Sequence, residues 1–248
     1  MVGTPFAPGG SGAPPPHRAA RGPRTARERE DWQVERDPAQ LEALRGPDGA
    51  PAAPLPDRRR PEATRLRVAT WNLRECVPGE GDVDPEAELL TVLDGEHIDL
   101  IALQEVPFAG RSDVSPLLSS ISTRTPLRHT AGYVLSRSSR SERGWSGLAV
   151  ASRYPIDSFR AAVLPRPRCA TGGVWDQDRG LVTVRSTVAG REVAMTSVHL
   201  FPFERLGRQA EEPEFADMWR WLAEQLEPED EEIVLVAGDF NTPCRHLL

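Results

Sequence analysis

The feature that most constrains this chain is a series of seven short, β-rich apolar segments between residues 66 and 237. Some segments alternate apolar and polar residues, as strands with one buried face do, and others are continuously apolar, as strands buried on both faces are. This mixture predicts sheets packed on each other, with helices covering the outer faces. The predicted strands are 66–73, 98–106, 132–136, 147–156, 181–188, 192–200 and 233–237.

Three segments between these strands have helical patterns. Residues 85–96 begin with proline and acidic residues, as the first turn of a helix does, and a shorter helix is predicted near 115–121. Residues 213–227 place five apolar side chains on one helical face, which predicts a helix packed on the core. The five are Phe215, Met218, Trp219, Leu222 and Leu226. The Ala-Gly-Arg link at 189–191 predicts an antiparallel hairpin.

The first 63 residues predict a disordered tail, because Pro-rich segments such as 13–16 build no packed core. Within this tail, 27–45 has the composition of a short charged helix, and folded structure is expected from residue 64. Up to Arg65 the chain has 11 Arg against 9 acidic residues, and beyond it 19 against 28. An acidic folded part argues against unselective duplex binding through a wide basic patch, although a divalent cation would supply local positive charge.

The three cysteines, Cys76, Cys169 and Cys244, are far apart and odd in number. Their spacing is typical neither of a disulfide framework nor of a zinc site. No apolar run approaches the roughly 20 residues of a membrane-spanning helix, and the N-terminus has no apolar stretch typical of a secretory signal. We therefore expect a cytoplasmic monomer without a transmembrane segment.

Polar side chains follow four of the apolar strands at or near their ends. They are Asn72, Glu105, His199, Asp239 and Asn241. Strand ends are rigid and open onto a shared rim, so these residues are expected to converge although they are distant in sequence. Each residue taken alone also has a structural interpretation, as a turn cap, a first solvated residue or a hydrogen-bonded core histidine.

Five motifs carry a more specific resemblance. TWNL at 70–73, LQEV at 103–106, GLAVASRYPI at 147–156, SVHL at 197–200 and AGDFNTP at 237–243 resemble, in order and spacing, the endonuclease/exonuclease/phosphatase superfamily. The resemblance implies an α/β fold, a four-layer sandwich of two mixed β-sheets flanked by helices. It also implies a phosphoesterase that uses Mg²⁺ or Mn²⁺, since hard divalent cations prefer oxygen ligands and stabilise the charge of phosphoryl transfer.

The resemblance implies a role for each strand-end residue. Glu105 would be the metal carboxylate, with Asn72 beside it as a ligand or as an amide that orients the ligand. His199 would contact the phosphate and help to stabilise or protonate it, a role suited to a pKa near neutrality. Asp239 would orient or activate the attacking water, and Asn241 would donate a hydrogen bond to the phosphate oxygens.

Two further expectations follow from the resemblance. Tyr133 falls where some members place a tyrosine that contacts phosphate. Members also carry a later Ser-Asp-His segment, which this sequence lacks. The domain at 64–248 is therefore expected to lack its last strands and to be impaired in hydrolysis. Its substrate would be a nucleic acid, a phospholipid headgroup or a small phosphate, and the alternative is a non-catalytic fragment or degenerate binding module.

Overall fold

The computed structural model describes residues 65–77, 84–111, 115–138, 140, 144–167, 177–228 and 231–242. Within these ranges the chain forms eight strands and three α-helices. The strands are β1 (Val68–Asn72), β2 (Leu100–Phe108), β3 (His129–Arg137), β4 (Trp145–Ser152), β5 (Ser158–Val163), β6 (Gly180–Val188), β7 (Arg191–His199) and β8 (Ile233–Asp239). The helices are α1 (Pro85–Gly95), α2 (Pro116–Arg124) and α3 (Ala216–Leu226). The predicted tail at 1–63 and its helix at 27–45 lie outside the described residues.

The first sheet has the strand order β1–β2–β4–β3. β1 runs parallel to β2, and β4 is antiparallel to both β2 and β3. In this register Asn72, the last residue of β1, pairs with Gln104. Asn72 therefore lies beside the residue that follows Gln104, which is Glu105.

The second sheet has the order β5–β6–β7–β8, with β8 parallel to β7 and the other pairs antiparallel. The predicted hairpin between β6 and β7 is confirmed. Ala189 and Gly190 form its turn with φ angles of 50° and 79°, the two positive angles that a two-residue hairpin turn favours. At the other end of β7, His199 pairs with Asp239 of β8.

Three apolar clusters show that the fold has four layers. One joins the facing sides of the two sheets, for example Leu148 of β4 and Val182 of β6. A second packs α1 and α2 on the outer face of the first sheet. A third packs α3 on the outer face of the second sheet, with Phe215, Met218 and Leu222 buried. The predicted four-layer α/β sandwich of two mixed sheets is therefore confirmed.

A buried polar link crosses the interface between the sheets. Gln104 of β2 is only 1% exposed, and its Nε2 donates to Ser197 Oγ of β7 at 3.0 Å. Ser197 Oγ in turn donates to the carbonyl oxygen of Leu103 at 3.0 Å. Buried polar groups are tolerated when they are paired in this way, and the link holds the two sheets in one relative register just below the candidate site.

Two details differ from the sequence-based expectations. Strand β5 was not predicted, because Ser158, Phe159 and Arg160 give it no long apolar run. The continuous apolar run at 233–237 predicts a strand buried on both faces, and this prediction was wrong: β8 is half-exposed, with Val236 37% exposed. The reason is that, among the described residues, β8 pairs only with β7 and lies at a sheet edge. No described helix is both long and apolar enough to span a bilayer.

Candidate active site

The two parallel strand pairs bring four polar side chains to one end of the sandwich. β1 and β2 carry Asn72 and Glu105 on the first sheet, and β7 and β8 carry His199 and Asp239 on the second. Parallel strands end at the same edge of a sheet, so the residues at their carboxyl ends become neighbours. The sequence places these residues up to 167 positions apart, and strand pairing removes that separation.

Each of the four side chains lies within 4.0 Å of two of the others. Asn72 Nδ2 donates to Asp239 Oδ2 at 2.8 Å and to Glu105 Oε1 at 3.4 Å. His199 Nε2 lies 4.0 Å from Glu105 Oε1 and 3.8 Å from Asp239 Oδ2. The amide of Asn72 therefore bridges a carboxylate on each sheet, and the imidazole faces both.

Asn241 supports this cluster from the segment after β8. Its backbone N–H donates to Asp239 Oδ1 at 2.9 Å, and its side-chain Nδ2 donates to the carbonyl oxygen of Leu200 at 2.8 Å. Both carboxylate oxygens of Asp239 thus accept a hydrogen bond, one from Asn241 and one from Asn72. In this arrangement the Asn241 amide braces the loop, and its predicted donation to a phosphate stays a prediction.

Glu105 reaches the cluster through a bulge in β2. Gln104 pairs with Leu148 and Val106 pairs with Gly147, which leaves Glu105 without a paired residue on β4. Its φ angle is 52°, in the left-handed region that side chains rarely adopt. Bulges re-aim a side chain, and this one accompanies the turn of the Glu105 carboxylate toward Asn72 and His199.

Arg179 is a site residue that the sequence reasoning missed. It is buried, 8% exposed, and its Nη1 lies 3.0 Å from both ring nitrogens of His199. Its Nη2 donates to Gln177 Oε1 at 3.1 Å. Burial lowers the pKa of Arg179, and the negative charges of Glu105 and Asp239 oppose that shift. Arg179 therefore supplies a positive charge beside the two carboxylates.

The His199 side chain is neutral at physiological pH. Burial lowers its pKa well below the ordinary 6.5, and the charge of Arg179 lowers it further. An arginine only donates hydrogen bonds, so the ring nitrogen that accepts from Arg179 carries no proton. The expectation of a pKa near neutrality was wrong, because sequence position reveals neither the burial of His199 nor the arginine facing it.

Glu105, Arg179 and His199 line a shallow cleft that is open to solvent. Strands β3 and β4 contribute Ser136, Ser146 and Gly147 to one wall, and Asp178 adjoins Arg179 on the other. Glu75 also lines the cleft, and its carboxylate accepts a hydrogen bond from the hydroxyl of Ser138. The cleft therefore presents several carboxylates and one buried arginine to whatever enters it.

A known protein family matches this chain. The model of the Endonuclease/Exonuclease/phosphatase family matches residues 69–248, which is most of the chain. The chain belongs to this family. No curated protein sequence matches the chain.

Two solved structures of the family share its fold. An endonuclease/exonuclease/phosphatase from Beutenbergia cavernae is 22% identical with a TM-score of 0.51, over 65% of this chain and 44% of that one. A family protein from Leptotrichia buccalis is 14% identical with a TM-score of 0.54, over 73% of this chain and 68% of that one. The chain thus spans less than half the length of the first structure and about two thirds of the second.

The oxygen-rich cluster fits a hydrated divalent cation. Within the described ranges, no three His, Cys, Asp or Glu side chains form a metal cage. Mg²⁺ does not require one, because it is commonly held by one or two carboxylates and retains several waters. Glu105 fits as the carboxylate ligand. Asn72 fits as the amide that orients it, since its Nδ2 donates to Glu105 while its Oδ1 accepts from the Arg74 N–H at 3.0 Å.

The structure brings together most of the residues that the sequence singled out for this family site. Asn72, Glu105, His199 and Asp239 form the cluster, and Asn241 adjoins it through Asp239. Tyr133 is placed elsewhere: it is 7% exposed, belongs to the core between the sheets, and is not among the described residues that line the cleft. Arg179 directly precedes β6, so a search for polar residues at strand starts, as well as strand ends, would have found it.

Proposed function

We propose that this chain is a metal-dependent phosphoesterase that hydrolyses phosphodiester or phosphomonoester bonds with Mg²⁺ or Mn²⁺. One observation carries the proposal: Asn72, Glu105, His199 and Asp239 come from four strands of two sheets, and each lies within 4.0 Å of two of the others. If each residue had only a structural role of its own, the four side chains would not need to lie together. The substrate is a nucleic acid, a phospholipid headgroup or a small phosphate.

The carboxylates of Glu105 and Asp239 have different roles in the proposed reaction. Glu105 would hold the divalent cation, which would supply positive charge to the phosphate and lower the pKa of its bound water. Asn72 fixes the orientation of the Glu105 carboxylate. Asp239 is fixed by hydrogen bonds to both of its oxygens, so its remaining lone pairs are positioned to accept a hydrogen from the attacking water.

Arg179 and His199 form the half of the site that receives the phosphate. The buried guanidinium attracts a phosphate more strongly than an exposed one would, because the low local dielectric strengthens the electrostatic interaction. His199 is neutral, so it offers one N–H donor and one acceptor rather than an imidazolium. Its contribution is a directed hydrogen bond to a phosphate oxygen, with the positive charge supplied by its neighbour.

Glu105→Gln tests the proposal with the smallest change of shape. Hydrolysis of bis(4-nitrophenyl) phosphate by the full chain is measured with Mg²⁺, with Mn²⁺ and with EDTA, and metal binding is measured by calorimetry. We expect the variant to lose metal binding and to lose hydrolysis by about 10²–10³-fold, the loss typical of removing one key electrostatic group. Glu224→Gln, at an exposed position of α3, makes the same chemical change away from the cleft and should leave both unchanged.

Two outcomes would contradict the proposal. The cluster is not the metal site if hydrolysis persists in EDTA. The same conclusion follows if Glu105→Gln and Glu224→Gln reduce hydrolysis equally. A folded chain that binds no metal at millimolar Mg²⁺ or Mn²⁺ would favour the alternative of a non-catalytic binding module.

A further inference from the structure

One buried side chain connects three of the four strands that carry the candidate site. Gln104 of β2 is 1% exposed, and its amide lies between Thr70 of β1 and Ser197 of β7. Thr70 Oγ1 donates to Gln104 Oε1 at 3.3 Å, and Gln104 Nε2 donates to Ser197 Oγ at 3.0 Å. We refer to Thr70, Gln104 and Ser197 as the Gln104 bridge.

The surroundings of the Gln104 bridge fix the direction of its hydrogen bonds. Ser197 Oγ lies 3.0 Å from the carbonyl oxygen of Leu103, which only accepts. The Ser197 hydroxyl therefore donates its single hydrogen to Leu103 and accepts from Gln104. The NH₂ group of the Gln104 amide thus faces the second sheet, and its carbonyl oxygen faces Thr70. The bridge has one arrangement, so it sets one distance between the strands.

The Gln104 bridge lies directly below the residues of the candidate site. Thr70 is two residues before Asn72, and Ser197 is two residues before His199. Side chains two positions apart on a strand share a face, and two residues span about 7 Å at roughly 3.3 Å each. The third member of the bridge directly precedes Glu105. Each member of the bridge therefore supports one site residue on its own strand.

The candidate site is divided between the two sheets. Glu105, which fits as the metal ligand, is on the first sheet, whereas His199 and Asp239 are on the second. Arg179 directly precedes β6 of the second sheet. A phosphate that contacts both the cation and Arg179 would therefore contact both sheets. Because a misplacement of about 1 Å can cost about 100-fold in rate, the separation of the sheets at this level affects function.

The Gln104 bridge constrains that separation more closely than packing does. The facing sides of the sheets are joined by apolar residues such as Leu100, Leu148 and Val182, and apolar contact is non-directional. A hydrogen bond has a preferred distance and angle. The bond from Gln104 to Ser197 therefore adds a defined spacing to an interface that packing alone leaves adjustable.

We propose that Gln104 is a positioning residue that aligns the metal half of the site, on the first sheet, with the phosphate half, on the second. This inference rests on the proposed phosphoesterase function and adds a residue that holds neither ligand. Gln104 is not among the described residues that line the cleft, so it acts through Glu105 and His199. Loss of the bridge should leave each ligand bound and weaken the cooperation between the two ligands.

The test measures the cooperation between Mg²⁺ and inorganic phosphate without turnover. Calorimetry gives the Mg²⁺ affinity of the full chain with and without millimolar inorganic phosphate, and the ratio of the two affinities is the coupling. The association of Mg²⁺ with phosphate in solution is the same for every variant. We expect a coupling of about 10-fold in the parent chain, which is an ordinary size for two linked ligands.

Gln104→Met keeps the length of the side chain and removes its amide. We expect the coupling to fall below about threefold, while the Mg²⁺ affinity without phosphate stays within about threefold of the parent. In a parallel assay, kcat for bis(4-nitrophenyl) phosphate should fall by about 10-fold. Ser197→Ala cuts the same bridge from β7 and replaces Gln104→Met if that variant does not fold. The double variant should lose no more coupling than the weaker-coupled single variant, because both remove one contact.

Thr196→Val is the matched control. Thr196 and Thr183 are both buried, and their hydroxyl oxygens lie 2.9 Å apart. Because Thr196 directly precedes Ser197, its side chain points to the opposite, outer face of the second sheet. Thr196→Val therefore breaks a buried hydrogen bond of the same strand and leaves the Gln104 bridge in place. It should lower the melting temperature as Gln104→Met does and keep the coupling of the parent.

Three results would overturn the inference. They are a parent chain without coupling between Mg²⁺ and phosphate, a Gln104→Met variant that keeps the coupling of the parent, and equal loss of coupling in Gln104→Met and Thr196→Val. A parent chain that couples the two ligands through Gln104 but hydrolyses nothing would instead contradict the proposed function and leave the positioning role intact.

Discussion

Glu105 and Asn241, two residues of the candidate site, have left-handed φ angles of 52° and 50°. Left-handed backbone costs on the order of 1–3 kcal/mol at a residue such as Glu105 and less at an asparagine, which adopts it more readily, and the surrounding structure holds both in place. For Glu105 the paired residues on either side of the bulge do so, and for Asn241 the hydrogen bonds to Asp239 and Leu200 do so. At both positions the backbone is constrained where the proposed phosphoesterase chemistry would need a fixed side chain.

Cys76 lies four residues after Asn72, and its thiol should react slowly. Burial raises its pKa from 9.0 to about 11, and the negative charges of Glu86 and Asp84 add to the shift. At pH 8 the thiolate is about 100-fold scarcer than in a model thiol, while the higher basicity of that thiolate returns about 10-fold in nucleophilicity. We expect alkylation by iodoacetamide about 10-fold slower than in the denatured chain, measured by peptide mass spectrometry.

The same shift sets a direction for stability. The folded chain holds the Cys76 proton more tightly than the unfolded chain does. The contribution of the protonated thiol to the free energy of unfolding is therefore complete below pH 9 and is lost as pH rises toward 11. A Cys76→Ser variant should show a smaller loss of unfolding free energy over that range. A Cys76 thiol that reacts in the folded chain as fast as in the denatured one would show that the burial and charge effects are absent.

At the scale of elements, the link between β2 and β7 tests how the two sheets are held together. Ser197→Ala removes the acceptor of the Gln104 amide and the donor to the Leu103 carbonyl, and both groups stay buried. Leaving buried partners unsatisfied costs about 1–3 kcal/mol. We expect the free energy of unfolding in urea to fall by that amount.

Ser186 of β6 is the matched control for Ser197. It is equally buried, but its hydroxyl has no hydrogen-bond partner among the described residues. Ser186→Ala removes the same oxygen without orphaning a partner, so stability should be unchanged or higher. Equal destabilisation by the two substitutions would show that the link between the sheets contributes nothing beyond packing.

At the scale of the whole molecule, the layers predict where the fold opens first. β2 and β4 lie in the middle of the first sheet, and β6 and β7 lie in the middle of the second. Their amides are paired on both sides and covered by apolar clusters. Amide exchange measured by mass spectrometry should therefore be slowest there and faster in β1, β3, β5 and β8, which are the edge strands among the described residues, because exchange follows local opening. Protection of β8 equal to that of β7 would contradict this.

Individual segments show which elements of the fold could be predicted from the sequence. The hairpin at β6 and β7, the helix α3 and the run into β2 were predicted, because their periodicity and turn residues are local signals. Strand β5 was missed, since Ser158–Val163 carries no such signal of its own and becomes a strand by pairing with β6. The half-exposure of β8 was also missed, because a continuous apolar run does not reveal its place at a sheet edge.

By itself, the sequence determined the type and order of most elements and the identity of five candidate residues, since both follow from patterns within a few neighbouring positions. Only the tertiary structure decided that Asn72 bridges Glu105 and Asp239, that Tyr133 lies in the core, and that Arg179 faces His199. The pKa of His199 belongs to the same group. These properties depend on burial and on charges from distant parts of the chain, and distance in space is what a linear pattern does not contain.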